Sequence, residues 1–528
     1  MSGLIYESGA ANRKFAPMHT LRKLLPHLPA ALLLTGALVR FGVWMQDRSL
    51  FIDEASLALN FCEKSFAGLW GPLGHQQYAP PLFLMLVKSA ASFFGNTEQA
   101  LRLVPLWSGL LALGLFGALA RRYAMNLWVL LGTVWIFAFS DLHIRYATEV
   151  KQYGTDAAVA LALLWMAQRR VGAGLWAVAG AVSVWLSMPA VFVLFGVGLE
   201  GLWAVFNRSN PYDGLKPNPY DGLKPSYGYR PAFNRGDGFE PSPRYALMIV
   251  GAWLLSFGVY FLFFLKPAMG GQALLDYHSA YFFPVWPLSP DVFARQLDLL
   301  RTIPYYTAGH TALALAFGAA GLLTALVVRL RDARFRLLVW PLLACLAASA
   351  AGAYSLLPRM LVWLFPLMLL AQACGWDWLW AKTGRYGRIA LAFLMLATAG
   401  LHDGLRFLYE PLVVEEVKPV LAQVAARRRS DDLVWIDHQS KALVQWHTGC
   451  RDPRFDLGEH IYRAGFDDMP RKEAFAGAAR VWVVYTHLSN DAAQARAFTA
   501  VLNGVPAGYR AGARVETKGA FAVEMVRE

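Results

Sequence analysis

The residues best suited to chemistry in this chain are acidic and basic side chains gathered at the ends of long apolar runs. Asp53 and Glu54 are adjacent carboxylates just after the first such run, and His75, Gln76 and Gln77 follow. A second polar cluster, SDLHIRYATEVKQYG, holds Asp141, His143, Arg145, Glu149, Lys151 and Tyr153. A third is Leu357-Pro358-Arg359, between two later runs. A carboxylate costs roughly 2.5–3.5 kcal/mol at a bilayer centre, so a pair held against a membrane marks a candidate site. A carboxylate can take a proton from a hydroxyl nucleophile. Arg and Lys can hold a departing phosphate, Arg in a bidentate grip. Outside the cytoplasm neither ATP nor nucleotide sugars are at hand. A lipid-linked phosphosugar, arriving sideways from the bilayer, is the donor this chemistry calls for.

Membrane-spanning helices are the elements that must position these groups. Of the 528 residues, 56% are hydrophobic, 14% aromatic and only 16% charged, against about 25% charged in a soluble protein. The net charge of +13 does not point to nucleic acid, because the basic residues lie in short clusters between apolar runs, where membrane orientation uses them. The basic start and the first long run show no convincing cleavage site, so that run reads as a retained helix rather than a signal peptide.

Residues 1–27, with Arg13, Lys14, Arg22 and Lys23, are assigned to the cytoplasm, and 28–46 form the first span, which delivers Asp53 to the outer face. The short run 80–95 begins with Pro80-Pro81 and is broken by Lys88, so it reads as an interfacial or re-entrant helix. Further spans are expected at 100–119, 126–140, 154–168, 173–187, 189–206, 245–265, 309–328, 337–357, 360–380 and 389–402. With about eleven spans, every strongly basic turn falls on one side. The outer loops are then 47–99, 141–153 and 266–308. Residues 207–244 form a Pro/Gly/Tyr-rich cytoplasmic loop, read as disordered, in which NPYDGLKP occurs twice in tandem.

From 403 the composition changes. LVWID (433–437), RVWVVYT (480–486) and AFAVEMV (520–526) read as strands, and DAAQARAFTAVLNG (491–504) as a helix. A small extracytoplasmic α/β domain with a partly parallel sheet is expected over 403–528. His438, His447, His460 and His487 lack metal-ligand spacing. Cys345 and Cys374 lie in spans and read as packing residues, whereas Cys62 and Cys450 both fall outside, where a disulfide is chemically open to them.

At the polar clusters the chain resembles the GT-C superfamily of lipid-phosphate-dependent glycosyltransferases, in particular bacterial relatives of protein O-mannosyltransferases and of the lipid A aminoarabinose transferase. The matching residues are Phe51-Ile52-Asp53-Glu54-Ala55, Gln77-Tyr78-Ala79-Pro80-Pro81-Leu82, Phe94-Gly95-Asn96-Thr97-Glu98 and Leu101-Arg102-Leu103. To these are added Arg145 to Tyr153, with its glutamate, base and tyrosine two apart, and Pro358-Arg359-Met360 with Pro366. The resemblance implies a polytopic α-helical membrane enzyme in the bacterial inner membrane, with the catalytic spans over 28–402 and a periplasmic C-terminal domain. It implies a polyprenyl-phosphate-linked sugar as donor and a hydroxyl acceptor on a glycan, lipid or protein. Asp53 would be the base, or the acid that positions the acceptor, with Glu54 its support and Glu149 the second acid. Lys151 and Arg359 would contact the lipid phosphate, with Tyr153, His75 and Arg145 lining the donor pocket. Lys151 stands where arginine is common in relatives, so a bidentate grip is not implied there. Some members bind a divalent metal with acids of these two loops. Others need none, so no cofactor is fixed here, and Mg²⁺ or Mn²⁺ between Asp53 and Glu149 is one open alternative.

Each assignment has a plainer counterpart. Asp53 and Glu54 can cap the helix that begins SLALNF. Glu149 and Lys151 can be a solvated pair, Tyr153 an interfacial anchor and Arg359 a snorkelling side chain. Arg102 reads as structural, His75 and His278 as loop lining as readily as pocket residues, and Asp156 as functional or as a helix-pairing group. Three rival functions stand beside the transferase. A transporter or flippase needs ionisable groups at mid-membrane, whereas the acids here sit at the outer edge. A membrane-anchored scaffold would act through the C-terminal domain. Another lipid-headgroup enzyme, such as a phosphoethanolamine transferase, would bring a metal-rich soluble domain.

Overall fold

Apolar runs of membrane length fold as helices because hydrocarbon offers their backbone groups no other hydrogen-bond partners. The computed structural model describes residues 27–169, 171–207, 243–268, 272–287, 289–398, 401–410, 415–450, 461–463, 475 and 477–528. The N-terminal segment 1–26, the tandem repeat and His460 lie outside the described residues. Each apolar run carries a helix: Leu28–Met45, Leu103–Tyr123, Leu127–Ala138, Tyr153–Ala167, Ala173–Leu186, Ala190–Asn207, Pro243–Tyr260, Ala312–Arg329, Ala333–Ala350, Phe365–Lys382 and Arg385–Thr398. Five helices of the described residues are long and apolar enough to cross a membrane by length and composition, among them Leu28–Met45 and Leu103–Tyr123. Several of the remaining apolar helices are shorter, 10–17 residues.

Two of the expected runs are trimmed where they approach each other. The helix expected over 337–357 ends at Ala350, and the one expected from 360 begins at Phe365. Between them Gly352 takes a positive φ of 69°, and Pro358–Leu361 forms a 3-10 turn that presents Arg359. Proline cannot supply the N–H that a continuous helix would need there.

The bundle is closed by large rings. Trp176, Trp363 and Trp376 are fully buried, whereas Val327 is 85% exposed and Leu255 and Phe393 also face outward. Apolar side chains on the outside of a helical bundle are expected where the solvent is lipid.

The Ile52–Glu63 helix packs against the helices Lys441–Gly449 and Pro81–Phe94. The run 80–95, read as non-spanning, is the helix Pro81–Phe94. Its Lys88 ammonium donates to the carbonyls of Phe61 (2.6 Å) and Lys64 (2.7 Å). A cation on the last carbonyls of a helix is favoured by their orphaned charge. Lys88 therefore anchors the far end of the helix that carries Asp53.

In the C-terminal part, three strands fall where alternation places them: β1 Leu433–Ile436, β3 Arg480–Tyr485 and β5 Ala520–Arg527. Two more, β2 Ile461–Arg463 and β4 Tyr509–Thr517, complete a sheet of order β2-β1-β3-β5-β4. β1 pairs in parallel with β2 and β3, and β5 pairs antiparallel with β3 and β4. Period-2 alternation divides the strand side chains between two cores. Val434, Ile436, Trp482, Val484, Ala520 and Ala522 join an apolar cluster with Ala55, Leu57, Leu59 and Phe83. Trp435, Val481, Val483, Phe521 and Val523 turn the other way, toward Val501 of the helix Asp491–Gly504. The C-terminal sheet thus shares a core with the Asp53 helix.

Candidate active site

Asp53 and Glu54 both occupy the first turn of the Ile52–Glu63 helix, and there they part. Glu54 points inward. Its Oε2 accepts the Phe51 N–H (3.1 Å), closing the N-terminus of the helix. Arg102 donates Nε to Oε1 (3.0 Å) and Nη2 to Oε2 (2.7 Å), and the Val150 N–H donates to Oε1 (2.7 Å). Arg102 also donates to the carbonyls of Arg48 (2.8 Å) and Ser49 (3.1 Å). Glu54 is 1% and Arg102 2% exposed. Burial acts to raise the Glu54 carboxyl, but Arg102 outweighs it and holds the group below the usual range. Glu54 is therefore a structural latch joining three stretches of chain, and it does not line the cavity beside it. Of the two roles the sequence allowed it, capping is what the structure shows, and Arg102 is structural as read.

Asp53 points into that cavity, which encloses about 460 Å³. Arg359 Nη1 donates to Asp53 Oδ2 at 3.1 Å, with side chains 31% and 35% exposed. Arg359 Nε is buried and has no hydrogen-bond partner. Lys151 lines the same wall, and its Nζ donates to Gln77 Oε1 at 2.7 Å. Burial lowers the Lys151 ammonium from its ordinary value, and the negative charge of Asp53 opposes that shift. Tyr153, at the start of its helix, packs edge-on to Tyr146 at 5.0 Å and faces the cavity.

His75 also faces the cavity and bonds Glu63 Oε2 at 3.0 Å. His75 and Gln76 take positive φ angles of 56° and 53°, a strained left-handed pair that turns the Gln77 amide toward Lys151. His278 lines the opposite side; burial first, and then Arg359, lower its pKa. Four separate chain segments, around Asp53, Lys151, His278 and Arg359, meet at one cavity.

Glu149 and Arg145 sit elsewhere than the sequence reading placed them. Glu149 is 2% exposed, and its Oε1 accepts Arg145 Nε at 2.7 Å. Neither Glu149 nor Arg145 lines the cavity. Arg145 in the helix Asp141–Tyr146 and Glu149 in the bend that follows are four residues apart, and each satisfies the other. The same geometry bears on the metal expectation. Asp53 and Glu149 each hold an arginine, only one of them faces the cavity, and no group of three or more metal-ligating side chains occurs among the described residues. These two residues do not make a set that fits Mg²⁺ or Mn²⁺.

Sequence reasoning missed Gln152, Tyr354, Ser355 and Pro189, which line the cavity. All lie at the outer ends of expected spans, and that position was the available signal. Asp156 turns out to be a lining residue. It is 5% exposed, and its Oδ1 is buried without a hydrogen-bond partner. Cys345 and Cys374 are buried in the helix bundle, as read.

No family model and no curated protein matches the chain. Among solved structures it aligns with ArnT from Cupriavidus metallidurans bound to undecaprenyl phosphate, at 15% identity and a TM-score of 0.34. It aligns with the same protein in the apo state at 17% identity and a TM-score of 0.33. In both cases the alignment covers 94% of this chain and 97% of the other.

Proposed function

We propose that the chain is a membrane glycosyltransferase that moves a sugar from a polyprenyl-phosphate donor to a hydroxyl acceptor at the periplasmic face of the inner membrane. The observation that carries this reading is one cavity in which Asp53 faces two cations, Arg359 at 3.1 Å and Lys151 on the same wall. Asp53 takes the acceptor's proton as its oxygen attacks the anomeric carbon. The bond from that carbon to the phosphate oxygen breaks, and the lipid phosphate leaves against Lys151 and Arg359. One displacement inverts the anomeric centre. The unpartnered Arg359 Nε is a donor that a phosphate oxygen would satisfy while Nη1 stays on Asp53.

A second cavity of about 540 Å³ suits the donor's tail. It is lined almost wholly by apolar side chains, including Val184, Phe195, Trp253, Phe257 and Ala347. Phe192 borders it and stands edge-on to Tyr354 of the first cavity at 4.9 Å. A polyprenyl chain gains by leaving water for such a surface.

The test is transfer from a radiolabelled polyprenyl-phosphate sugar in membranes carrying the wild type or Asp53→Asn. Loss of transfer with unchanged folding supports the reading, and full activity of Asp53→Asn removes Asp53 from the mechanism. Mass spectrometry of envelope glycans from a deletion strain would name both substrates, through an accumulated donor and an acceptor lacking one sugar.

A further inference from the structure

The Asp53 helix is gripped along its whole length by the C-terminal domain. At its start, Glu415 Oε1 accepts the Ile52 N–H at 2.6 Å. Just upstream, Ser49 accepts the N–H groups of Val417 and Lys418, both at 3.1 Å. At its end, Gln445 Nε2 donates to Glu63 Oε1 at 3.0 Å. Between these points the helix Lys441–Gly449 packs along it, and Cys450 caps that second helix. Cys62, one residue before Glu63, and Cys450 belong to the same apolar cluster. Their thiols are in side-chain hydrogen-bond contact. Asn96 Nδ2 reaches the Cys450 carbonyl at 3.5 Å, fixing the backbone beside that thiol.

We propose that Cys62 and Cys450 are a covalent modification site, an intramolecular disulfide that fastens the C-terminal domain to the helix carrying Asp53. Thiols on two packed helices in one apolar cluster already meet the first requirement of a bridge, which is proximity. The proposal rests on the extracytoplasmic placement argued above, where disulfides form and persist. The oxidant is a donor disulfide, either a protein thiol–disulfide oxidoreductase or a small-molecule disulfide. Cys62 is only partly buried while Cys450 is 7% exposed, so Cys62 meets the donor first. Its thiolate attacks one donor sulfur, forming a mixed disulfide and releasing one donor thiolate. The Cys450 thiolate then attacks the Cys62 sulfur, which forms the internal bond and releases the second donor thiol. Two thiol protons are lost, the protein gives up two electrons, and the donor disulfide is reduced.

Two measurements on the full-length chain decide it. Membranes are quenched in acid, denatured and treated with N-ethylmaleimide, and the protein is weighed before and after reduction. The chain has four cysteines, so the bridge gives two adducts before reduction and four after, with a 62–450 cross-linked peptide. Four adducts before reduction overturn the proposal. The purified protein, reduced and then exposed to glutathione disulfide, separates the causes of such a failure. If it oxidises in detergent yet is reduced in cells, the extracytoplasmic placement fails with the proposal. If it oxidises in neither setting, the pairing itself is wrong, whichever side of the membrane the pair lies on. Neither measurement needs a variant that might misfold, and Cys345→Ser with Cys374→Ser, far from the pair, simplifies the count.

Discussion

Two carboxylate–arginine pairs begin at neighbouring residues and end in opposite surroundings. Glu54 and Arg102 are almost wholly buried, and every oxygen of the carboxylate is engaged by Arg102, Val150 or Phe51. Asp53 and Arg359 are about one-third exposed and face open volume. Successive residues on a helix point roughly 100° apart, so adjacent acids are divided between core and cavity by geometry alone. The buried pair is stabilising only while both members are present, because its desolvation has already been incurred. The open pair adds about 0–1 kcal/mol to stability at most, which leaves its charges available for chemistry. Chemical type does not separate a buried latch from a cavity-facing carboxylate here; the number of committed lone pairs does.

The largest effect expected from this contrast is on activity. Asp53→Asn should lower the rate of sugar transfer by about 10²–10⁴-fold, the usual range for removing a general base, with an unchanged unfolding temperature in detergent. Glu54→Ala should do the opposite. Leaving Arg102 buried without its partner should cost about 3–5 kcal/mol, read as a large fall in unfolding temperature or in the yield of folded protein. A Glu54→Ala protein as stable as wild type would erase the distinction between the pairs.

The cations of the open site come next. Lys151→Met should raise the KM for the lipid-phosphate donor about tenfold, at the low end of a charge-assisted hydrogen bond's value of about 1.5–3 kcal/mol. Its pH dependence carries a sign. Burial lowers the Lys151 pKa from 10.5, so its charge is full at low pH and is lost as pH rises through that lowered value. Donor affinity should therefore decline at a pH below the ordinary lysine range. Lys151→Arg, charged at any working pH, should move that decline upward. Identical pH profiles for KM in the two proteins would show that Lys151 does not meet the phosphate.

What was legible in the sequence follows the same physics. The helices were, because lipid demands an apolar run for each of them. Lys88 and Pro80-Pro81 were visible interruptions of the run 80–95, and Lys88 caps a neighbouring helix. Strands β1, β3 and β5 were legible because they are buried and β-branched, whereas β4, an edge strand reading YRAGARVET, carries polar residues on its exposed side and gives no apolar signal. Within the site, Asp53, Lys151, Tyr153, His75 and Arg359 could be named from residue type and position. The inward turn of Glu54 could not, because it depends on Arg102, 48 positions on. The removal of Glu149 and Arg145 from the cavity could not either, although their i,i+4 spacing was on view. Polar residues were found by chemistry; which of them were already satisfied required the fold.

The smallest effect belongs to the contact between the sheet and the site. His487 sits at a positive φ of 59°, with its ring 6.2 Å from Phe51 and its N–H donating to Glu415 Oε2 at 2.7 Å. A separate side-chain contact, ring Nδ1 at 3.7 Å from Glu415 Oε1, raises its pKa from the ordinary 6.5, burial opposes this, and the charges of Glu415, Asp53 and Asp437 add to the rise. For a base whose folded pKa is raised, the extra stability is complete below the unfolded value and disappears as pH climbs through the folded one. The unfolding temperature should therefore drop slightly as pH rises from about 6.5, and His487→Gln should flatten that slope. The ring is 39% exposed, so screening limits the change to about 0.2–1 kcal/mol. Because Glu415 also holds the Ile52 N–H, the same titration should reach Asp53 by loosening its helix. If transfer activity follows the His487 profile in wild type and loses it in His487→Gln, the sheet helps to set the position of the base. If activity is indifferent while stability is not, the sheet braces the helix without tuning it.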